Sequence, residues 1–195
     1  MAPIQGIEAC NCYIVTNSMG QFIYNIAEKS SCCAQCCCRN ARRFEMDVLD
    51  HRNAVVMHFV RPLRCMLPWC CCCQQEIEVQ APPGYVVAVV RQEWSMCYPK
   101  FSVNDCNSRR VLDIAGPSCK SSTPCKSDVE FEVRSTNGVF IGKITKLWGG
   151  VRKELFTIAD NFVVTFPLDL DAKFKGALIA ATMLIDYRFF ESRRR

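Results

Sequence analysis

Cysteine is the most abundant side chain in this 195-residue chain that could do chemistry, with sixteen copies. Four of them are consecutive: Cys70, Cys71, Cys72 and Cys73. They follow a basic stretch that contains Arg61 and Arg64. Adjacent thiols beside basic residues are typical acceptors of reversible palmitoylation. Because stable anchoring generally needs two signals, several acylated neighbours would hold the protein on a membrane.

A second cysteine group offers different chemistry. Residues 32–38 read Cys-Cys-Ala-Gln-Cys-Cys-Cys, which includes the C-x-x-C spacing of zinc ligands. His51 and His58 are the only histidines, and no second spaced cysteine pair lies nearby. We therefore favour acylated or free thiols over zinc, and we interpret Cys119 and Cys125 as incidental thiols of a hairpin loop.

Motifs of covalent catalysis are absent from the sequence, which has no G-x-S-x-G elbow, P-loop or paired-carboxylate motif. Hydrolase and kinase chemistry therefore have no support, and we expect a protein that is not an enzyme.

The compartment follows from the cysteines and the N-terminus together. In a small secreted protein, sixteen cysteines would indicate a disulfide framework. Residues 1–8 read MAPIQGIE, which lacks the basic and apolar regions of a signal peptide. We therefore expect an intracellular, reducing compartment. The formal net charge of +5 suits an anionic membrane surface or nucleic acid, although a solvated basic face explains it equally well.

Short stretches of alternating polarity fill most of the chain and predict an antiparallel β domain. Turn-forming residues at 17–20, 50–53 and 137–138 separate several of them. Half of the residues are hydrophobic, so we expect residues 1–195 to form a single domain. The predicted strands are residues 13–15, 21–27, 44–49, 55–60, 76–80, 85–92, 100–103, 111–114, 129–134 and 139–147.

Residues 171–191 predict one C-terminal hydrophobic helix. Asp171 can cap it, and residues 176–185 are apolar on every face. A bilayer span needs about 20 apolar residues, whereas Asp186 and Arg188 interrupt this run early. We therefore favour a helix enclosed by the strands over a membrane span.

Several stretches resemble, in the same order, segments of the phospholipid scramblase family. They are NSMGQFIY at 17–24, RPLRC at 61–65, the cysteine cluster followed by QEIEVQAPPG at 75–84, CYPKF at 97–101, GKITKLW at 142–148, ADNF at 159–162, FPLDLD at 166–171 and LIDYRFFE at 184–191. The resemblance implies a tubby-like antiparallel β-barrel of about twelve strands that encloses one hydrophobic helix.

The resemblance also implies a function and a place. It implies that phospholipids move in both directions between membrane leaflets, in response to calcium and without ATP. The place implied is the cytoplasmic face of the plasma membrane, with the protein held by its acylated cysteines. The family has further residues before the part matched here, and a missing first strand would leave an open edge in the barrel. The short basic tail also departs from the family.

The family's calcium segment aligns with residues 158–169. The ligand positions that the resemblance implies are Asp160, Phe162, Val164, Phe166 and Asp169. Ca²⁺ takes about six to eight oxygen ligands, but Ile158 stands where the family has an acidic residue. Phe162, Val164 and Phe166 also alternate like the buried face of a strand. Both a core strand and a weak calcium loop fit this segment.

Residues 142–150 resemble the family's atypical nuclear-import segment and keep Lys143, Lys146 and Trp148. Any half-exposed strand would show the same alternation, which is the alternative interpretation. Import would add a nuclear pool, with nucleic acid as a partner.

Two functions are open at this point. The first is a scramblase-like protein that transports lipid at an anionic phospholipid membrane. The second is a palmitoylated, membrane-tethered interaction or signalling module without lipid transport. An enclosed helix favours the second, because it offers lipid head groups no path across the bilayer.

Overall fold

The computed structural model describes residues 12–29, 43–64, 74–118, 128–147 and 161–190. Eleven strands and one helix lie in these ranges. The strands are β1 (Cys12–Thr16), β2 (Phe22–Lys29), β3 (Phe44–Leu49), β4 (Val55–Arg61), β5 (Glu76–Ala81), β6 (Tyr85–Glu93), β7 (Lys100–Asp105), β8 (Arg110–Ala115), β9 (Val129–Ser135), β10 (Phe140–Leu147) and β11 (Asn161–Thr165). The helix is α1 (Ala172–Phe189).

Each strand pairs with the next one in sequence, so a single sheet runs in the order β1 to β11. All these pairs are antiparallel. Among the described residues no ladder joins β1 to β11, so the sheet keeps two edges. The ten predicted strands are confirmed, each within two residues of its observed bounds, and β11 is the eleventh.

Tight turns form where the sequence has turn residues. At the first turn, Oδ1 of Asn17 accepts hydrogen bonds from the N–H groups of Met19 and Gln21, at 3.0 and 2.9 Å. Gly20 then adopts a φ of 77°, which glycine takes without steric cost. Hydrogen bonding by the asparagine side chain and this glycine together set the register in which β2 returns along β1.

One face of the sheet packs on α1 and forms the core. Phe59, Val79, Phe101, Phe131 and Ile144 are among the inward side chains, and all are fully or almost fully buried. Successive strand residues point to opposite faces, so these positions alternate with outward polar residues. The half-buried Phe162 and Val164 of β11 pack against the same core.

Strands from across the sheet contact α1. Tyr187 lies against Phe44 of β3, with ring centroids 4.9 Å apart. Phe190, just after the helix, meets Phe162 of β11 edge to face at 6.1 Å. The helix is buried from Gly176 to Tyr187 except for the partly covered Ile179. The sheet therefore curves around α1, and the prediction of an enclosed helix inside a barrel-like sheet is confirmed.

The apolar side chains of α1 pack against the inner face of the sheet. In the described ranges, no helix combines the length and the hydropathy that crossing a bilayer requires.

Alternating strand directions place the connections at two opposite ends of the sheet. The short turns 17–21, 50–54, 82–84, 106–109 and 136–139 share one end, here called the turn end. The other five connections between strands start and finish at the opposite end of the sheet; they are residues 30–43, 62–75, 94–99, 116–128 and 148–160. Thirteen of the sixteen cysteines belong to these five connections, so this is called the cysteine end.

Candidate functional site

The predicted acylation sites Cys70, Cys71, Cys72 and Cys73 lie outside the described residues, but both arms of their connection are described. Arg61 ends β4, and its guanidinium donates a hydrogen bond to Oε1 of Gln75 on the returning arm. Arg64 forms an ion pair with Glu76. It also donates to the carbonyl oxygen of Gln74 at 3.3 Å. These contacts join the two arms, so they fix the point where the cysteine-bearing connection leaves the sheet.

Arg61 also connects this point to the core. Its side chain is only 1% exposed, although arginine is almost never buried without a partner. Its guanidinium carbon lies 4.4 Å from the ring centroid of Tyr187 on α1 and 5.5 Å from that of Phe44. Stacking of a guanidinium on aromatic rings is favourable when both are desolvated. The arm that leads to the cysteines is thus packed directly on the C-terminal half of α1.

In its described part the calcium segment forms β11 over residues 161–165 and has no regular secondary structure over 166–169. The side chains of Phe162 and Val164 in β11, and of Phe166 just after it, pack against the core, as the core-strand interpretation expects for the first two. Their side chains carry no oxygen, so only main-chain carbonyls could serve as ligands there. Asp160 lies outside the described residues, and calcium binding stays a prediction.

Basic groups surround the other end of that segment. The carboxylate of Asp169 is exposed in the turn before α1. The ammonium of Lys175 donates to the carbonyl oxygen of Leu168 at 2.7 Å, so it occupies an acceptor that a cation would use. Asp171 is the N-cap of α1, and its Oδ1 accepts from the N–H of Lys173 at 3.1 Å. That hydrogen bond, with the nearby lysine charges, lowers the pKa of Asp171.

The import-like segment forms β10 up to Leu147, and Trp148 lies outside the described residues. Lys143 is half-exposed and pairs with Glu130 at 2.6 Å. Lys146 is buried, and its ammonium lies 3.8 Å from the ring centroid of Phe190. In this fold the two predicted import lysines therefore face opposite sides of the sheet.

Both edge strands reach the C-terminal end of α1. The hydroxyl of Tyr13 on β1 donates to Oδ2 of Asp186 at 3.0 Å. The contact between Phe162 and Phe190 brings in β11. Burial lowers the pKa of Arg188, which lies at the same end of the helix. The buried Asp186 and the half-buried Tyr13 and Arg188 thus gather where the two edges of the sheet approach one helix.

Among the described residues, the two histidines do not come together in a metal site. His51 lies in the turn after β3, whereas Nδ1 of His58 lies 2.6 Å from Asp47. Nε2 of His58 is 3.5 Å from Glu45, and Lys29 pairs with Asp47 from the other side. Within the described ranges no group of three or more histidine, cysteine or acidic side chains could hold a metal ion. Cys32 to Cys38, the zinc alternative, lie outside those ranges.

Sequence reasoning missed the burial of Arg61 and Lys146. The sequence does contain a sign of this burial, because each residue occupies a position of its strand whose side chain points toward the core. Arg61 comes two positions after the buried Phe59, and Lys146 two positions after the buried Ile144. A charged residue at an inward position predicts an internal partner, but not which one.

Comparison with known proteins gives consistent matches. A family model described as Scramblase matches residues 1–192. The chain is 47% identical over 192 residues to Phospholipid scramblase 2 of Bos taurus, which covers 97% of this chain and 64% of that protein. It is 45% identical over 190 residues to Phospholipid scramblase 1 of Homo sapiens, covering 97% and 59%.

A further relative is Phospholipid scramblase family member 5 of Homo sapiens, 42% identical over 189 residues, covering 96% of this chain and 69% of that protein. The chain therefore spans roughly three fifths of the length of the first two relatives. No solved structure matches it significantly.

Proposed function

The chain belongs to the scramblase family, and from this premise we propose that it is a phospholipid scramblase-like protein that moves phospholipids both ways between membrane leaflets. The observation that carries the proposal is the family match over residues 1–192, which includes the cysteine cluster and the C-terminal helix. The proposed movement makes and breaks no covalent bond and uses no ATP. The protein would therefore act only by binding and positioning lipid.

The proposed place is the cytoplasmic face of the plasma membrane, against anionic phospholipid. Palmitoylated Cys70 to Cys73 would supply several acyl chains, and each buried methylene contributes about 0.8 kcal/mol. The contacts of Arg61 and Arg64 with residues 74–76 support this role, because they hold both arms of the cysteine-bearing connection together at one place on the domain. A nuclear pool through Lys143, Lys146 and Trp148, with nucleic acid as partner, belongs to the same proposal.

We further propose that calcium acts through residues 158–169 and binds weakly, in the range of about 10⁻⁴ to 10⁻³ M. Asp169 offers an exposed carboxylate, and Asp160 is the second acidic residue of the segment. Ile158 and the ammonium of Lys175 at Leu168 both reduce the ligand supply, which is the reason for the low expected affinity.

A second candidate function is a lipid-tethered interaction module without transport. One observation favours it: α1 is enclosed by the sheet, and its residues from Gly176 to Tyr187 are mostly buried. A helix in that position presents no surface along which a polar head group could pass the hydrocarbon core.

Reconstitution separates the two candidates. The full chain is placed in liposomes that carry a fluorescent phospholipid in both leaflets, and dithionite is added with and without Ca²⁺. The scramblase proposal expects bleaching to continue past the outer-leaflet pool, and to do so faster with Ca²⁺. Bleaching that stops at the outer-leaflet pool in both conditions, with protein on the membrane, would establish the tethered module instead. Heat-denatured protein in matched liposomes controls for leakage of dithionite.

A further inference from the structure

The connection between β6 and β7, residues 94–99, presents an exposed apolar and aromatic surface at the cysteine end. Trp94 is 54% exposed and Met96 is 78% exposed. Tyr98 is also exposed, as is the free thiol of Cys97 between them. Burying large side chains such as these is strongly favourable, so a surface that covered them would be bound tightly.

Basic side chains border this loop. Arg91 of β6 is about half exposed and pairs with Glu76 at 3.2 Å, the same carboxylate that pairs with Arg64. Lys100 begins β7 opposite Glu93. Only β5 and β6 separate this loop from the arm that carries Arg64, so the two connections at the cysteine end are close neighbours in the sheet. Arg110 also lies 4.0 Å from Glu93, so four basic groups lie near the two acidic residues Glu76 and Glu93.

This composition matches the interface of an anionic bilayer. Tryptophan and tyrosine concentrate at the level of lipid head groups, because one end of each side chain is apolar and the other is polar. Arginine and lysine beside them gain attraction from anionic lipid. Protein interfaces favour the same residue types, so the neighbouring acylation connection is the observation that favours lipid over a protein partner.

Exposure alone does not select this end, because the turn end also exposes apolar side chains such as Tyr85 and Leu168. The position of the proposed acyl tether distinguishes the cysteine end from the turn end. The acylation connection starts and finishes at the cysteine end, and α1, with 18 residues, runs from the turn end toward it. A helix of that length spans about 27 Å, so the turn end would be held well away from the lipid.

We propose that the loop of residues 94–99 lies in the head-group layer of an anionic bilayer, with Trp94, Met96 and Tyr98 as the inserted side chains. This inference rests on the proposed function only for the acyl tether at Cys70 to Cys73. It sets the orientation of the domain: the cysteine end on the membrane and the turn end toward the aqueous phase.

Tryptophan emission tests the orientation. The chain has three tryptophans, at positions 69, 94 and 148. The double variant W69F/W148F leaves Trp94 as the single reporter. The matched control W69F/W94F/W148F/Y85W carries a single reporter at an exposed aromatic position of the turn end. Both are prepared as acylated full chains and bound to vesicles of phosphatidylserine and brominated phosphatidylcholine.

We expect emission from Trp94 to be quenched at least about twofold more than emission from the Y85W reporter. Equal quenching, or stronger quenching of the Y85W reporter, would overturn the orientation. A second measurement needs no reporter: W94A/M96A/Y98A should weaken partition of the otherwise unchanged full chain to these vesicles about tenfold. The matched control M19A/Y85A/V139A should leave it unchanged, and the reverse pattern would overturn the proposal.

The outcomes separate this inference from the proposed function. If Trp94 is quenched but dithionite reaches only the outer-leaflet pool, the orientation stands and transport fails. If lipid moves between leaflets while Trp94 stays unquenched, transport stands and the orientation fails.

Discussion

The hydroxyl of Tyr13 on β1 donates a 3.0 Å hydrogen bond to the carboxylate of Asp186 on α1, across 173 positions of sequence. Asp186 is 1% exposed, so this bond is made away from bulk water. On the other edge of the sheet, Phe162 of β11 meets Phe190. Both edges are therefore attached to the same end of α1, which keeps the sheet curved although no ladder joins β1 to β11 in the described ranges.

Replacing Tyr13 with phenylalanine should weaken this attachment. The variant keeps the ring but removes a donor from a buried carboxylate, and hydrogen bonds to charged groups contribute about 1.5 to 3 kcal/mol. We expect the free energy of unfolding to fall by about 1.5 kcal/mol, measured by urea denaturation. Tyr24→Phe is the matched control on β2. Equal losses in the two variants would show that the bond to Asp186 contributes nothing specific.

Gly176→Ala should leave the stability nearly unchanged, although alanine is the better helix former by about 1 kcal/mol. A Cβ at position 176 would overlap Sδ of Met57 and lie 2.9 Å from its Cε. The end of the methionine side chain can shift, so we expect overpacking to cost about 1 kcal/mol and to cancel the gain in helix propensity in urea denaturation.

The control for this change is the background Met57→Ala. Removing the methionine side chain opens the space, so Gly176→Ala should there raise the stability by about the full 1 kcal/mol of helix propensity. Equal effects of Gly176→Ala in the two backgrounds would mean that α1 is not packed against Met57 of β4.

Lys143→Ala and Lys146→Ala should differ in stability, although the two lysines lie three positions apart. Lys143 forms an exposed pair with Glu130, and exposed pairs contribute about 0 to 1 kcal/mol. Lys146 is buried against Phe190, so its loss should cost about 2 kcal/mol or more. Thermal unfolding of the two purified variants measures this difference.

The same pair of variants tests nuclear import. If a nuclear-import receptor binds this strand, a fluorescent reporter fused to the full chain should accumulate less in the nucleus when it carries Lys143→Ala. The variant protein should stay folded. Retained import in that variant would remove Lys143 from the import segment.

The contacts of Asp47 predict that part of the protein's stability is lost at acidic pH. Burial alone would raise its pKa, but hydrogen bonds from Lys29 and His58 and their charges outweigh burial and lower the pKa. A carboxyl group whose pKa is lower in the folded state stabilises the protein above its unfolded pKa, near 3.8, and this contribution disappears as the pH falls through the lowered value.

Asp47→Asn should therefore lower the urea midpoint at neutral pH, and the difference from wild type should shrink as the pH falls below about 4. Asp113→Asn, on the outer face of β8, is the control with a more exposed carboxylate. A deficit in Asp47→Asn that stays constant from neutral to acidic pH would contradict the account of this network.

Strand positions were readable from the sequence because polarity alternates wherever one face of a strand is buried. The segments from Glu76 to Ala81 and from Val129 to Ser135 show it clearly. The helix was readable for the opposite reason: residues 176–185 are apolar on every face, which fits only a helix surrounded by protein or lipid, and Asp186 excluded a long span. Local pattern was sufficient for these elements.

Internal partners were not readable. Arg61 packs on Tyr187 and Lys146 on Phe190, and each pair is separated by a large part of the chain. Their inward parity signals a buried charge, but the ring that receives it depends on how far the sheet curves around α1. Curvature depends on the whole set of strands, so it cannot be derived from any one segment.

The enclosed position of α1 underlies the fold and bears on the choice between the two candidate functions, and hydrogen exchange of the full chain in solution tests it most directly. We predict that the amides of residues 177–187 exchange as slowly as those of the central strands β5 and β6, near the limit of global unfolding. Exchange of these helix amides as fast as that of the turn residues 166–171 would contradict the fold and, with it, the contacts through which Arg61 and Tyr13 reach the helix.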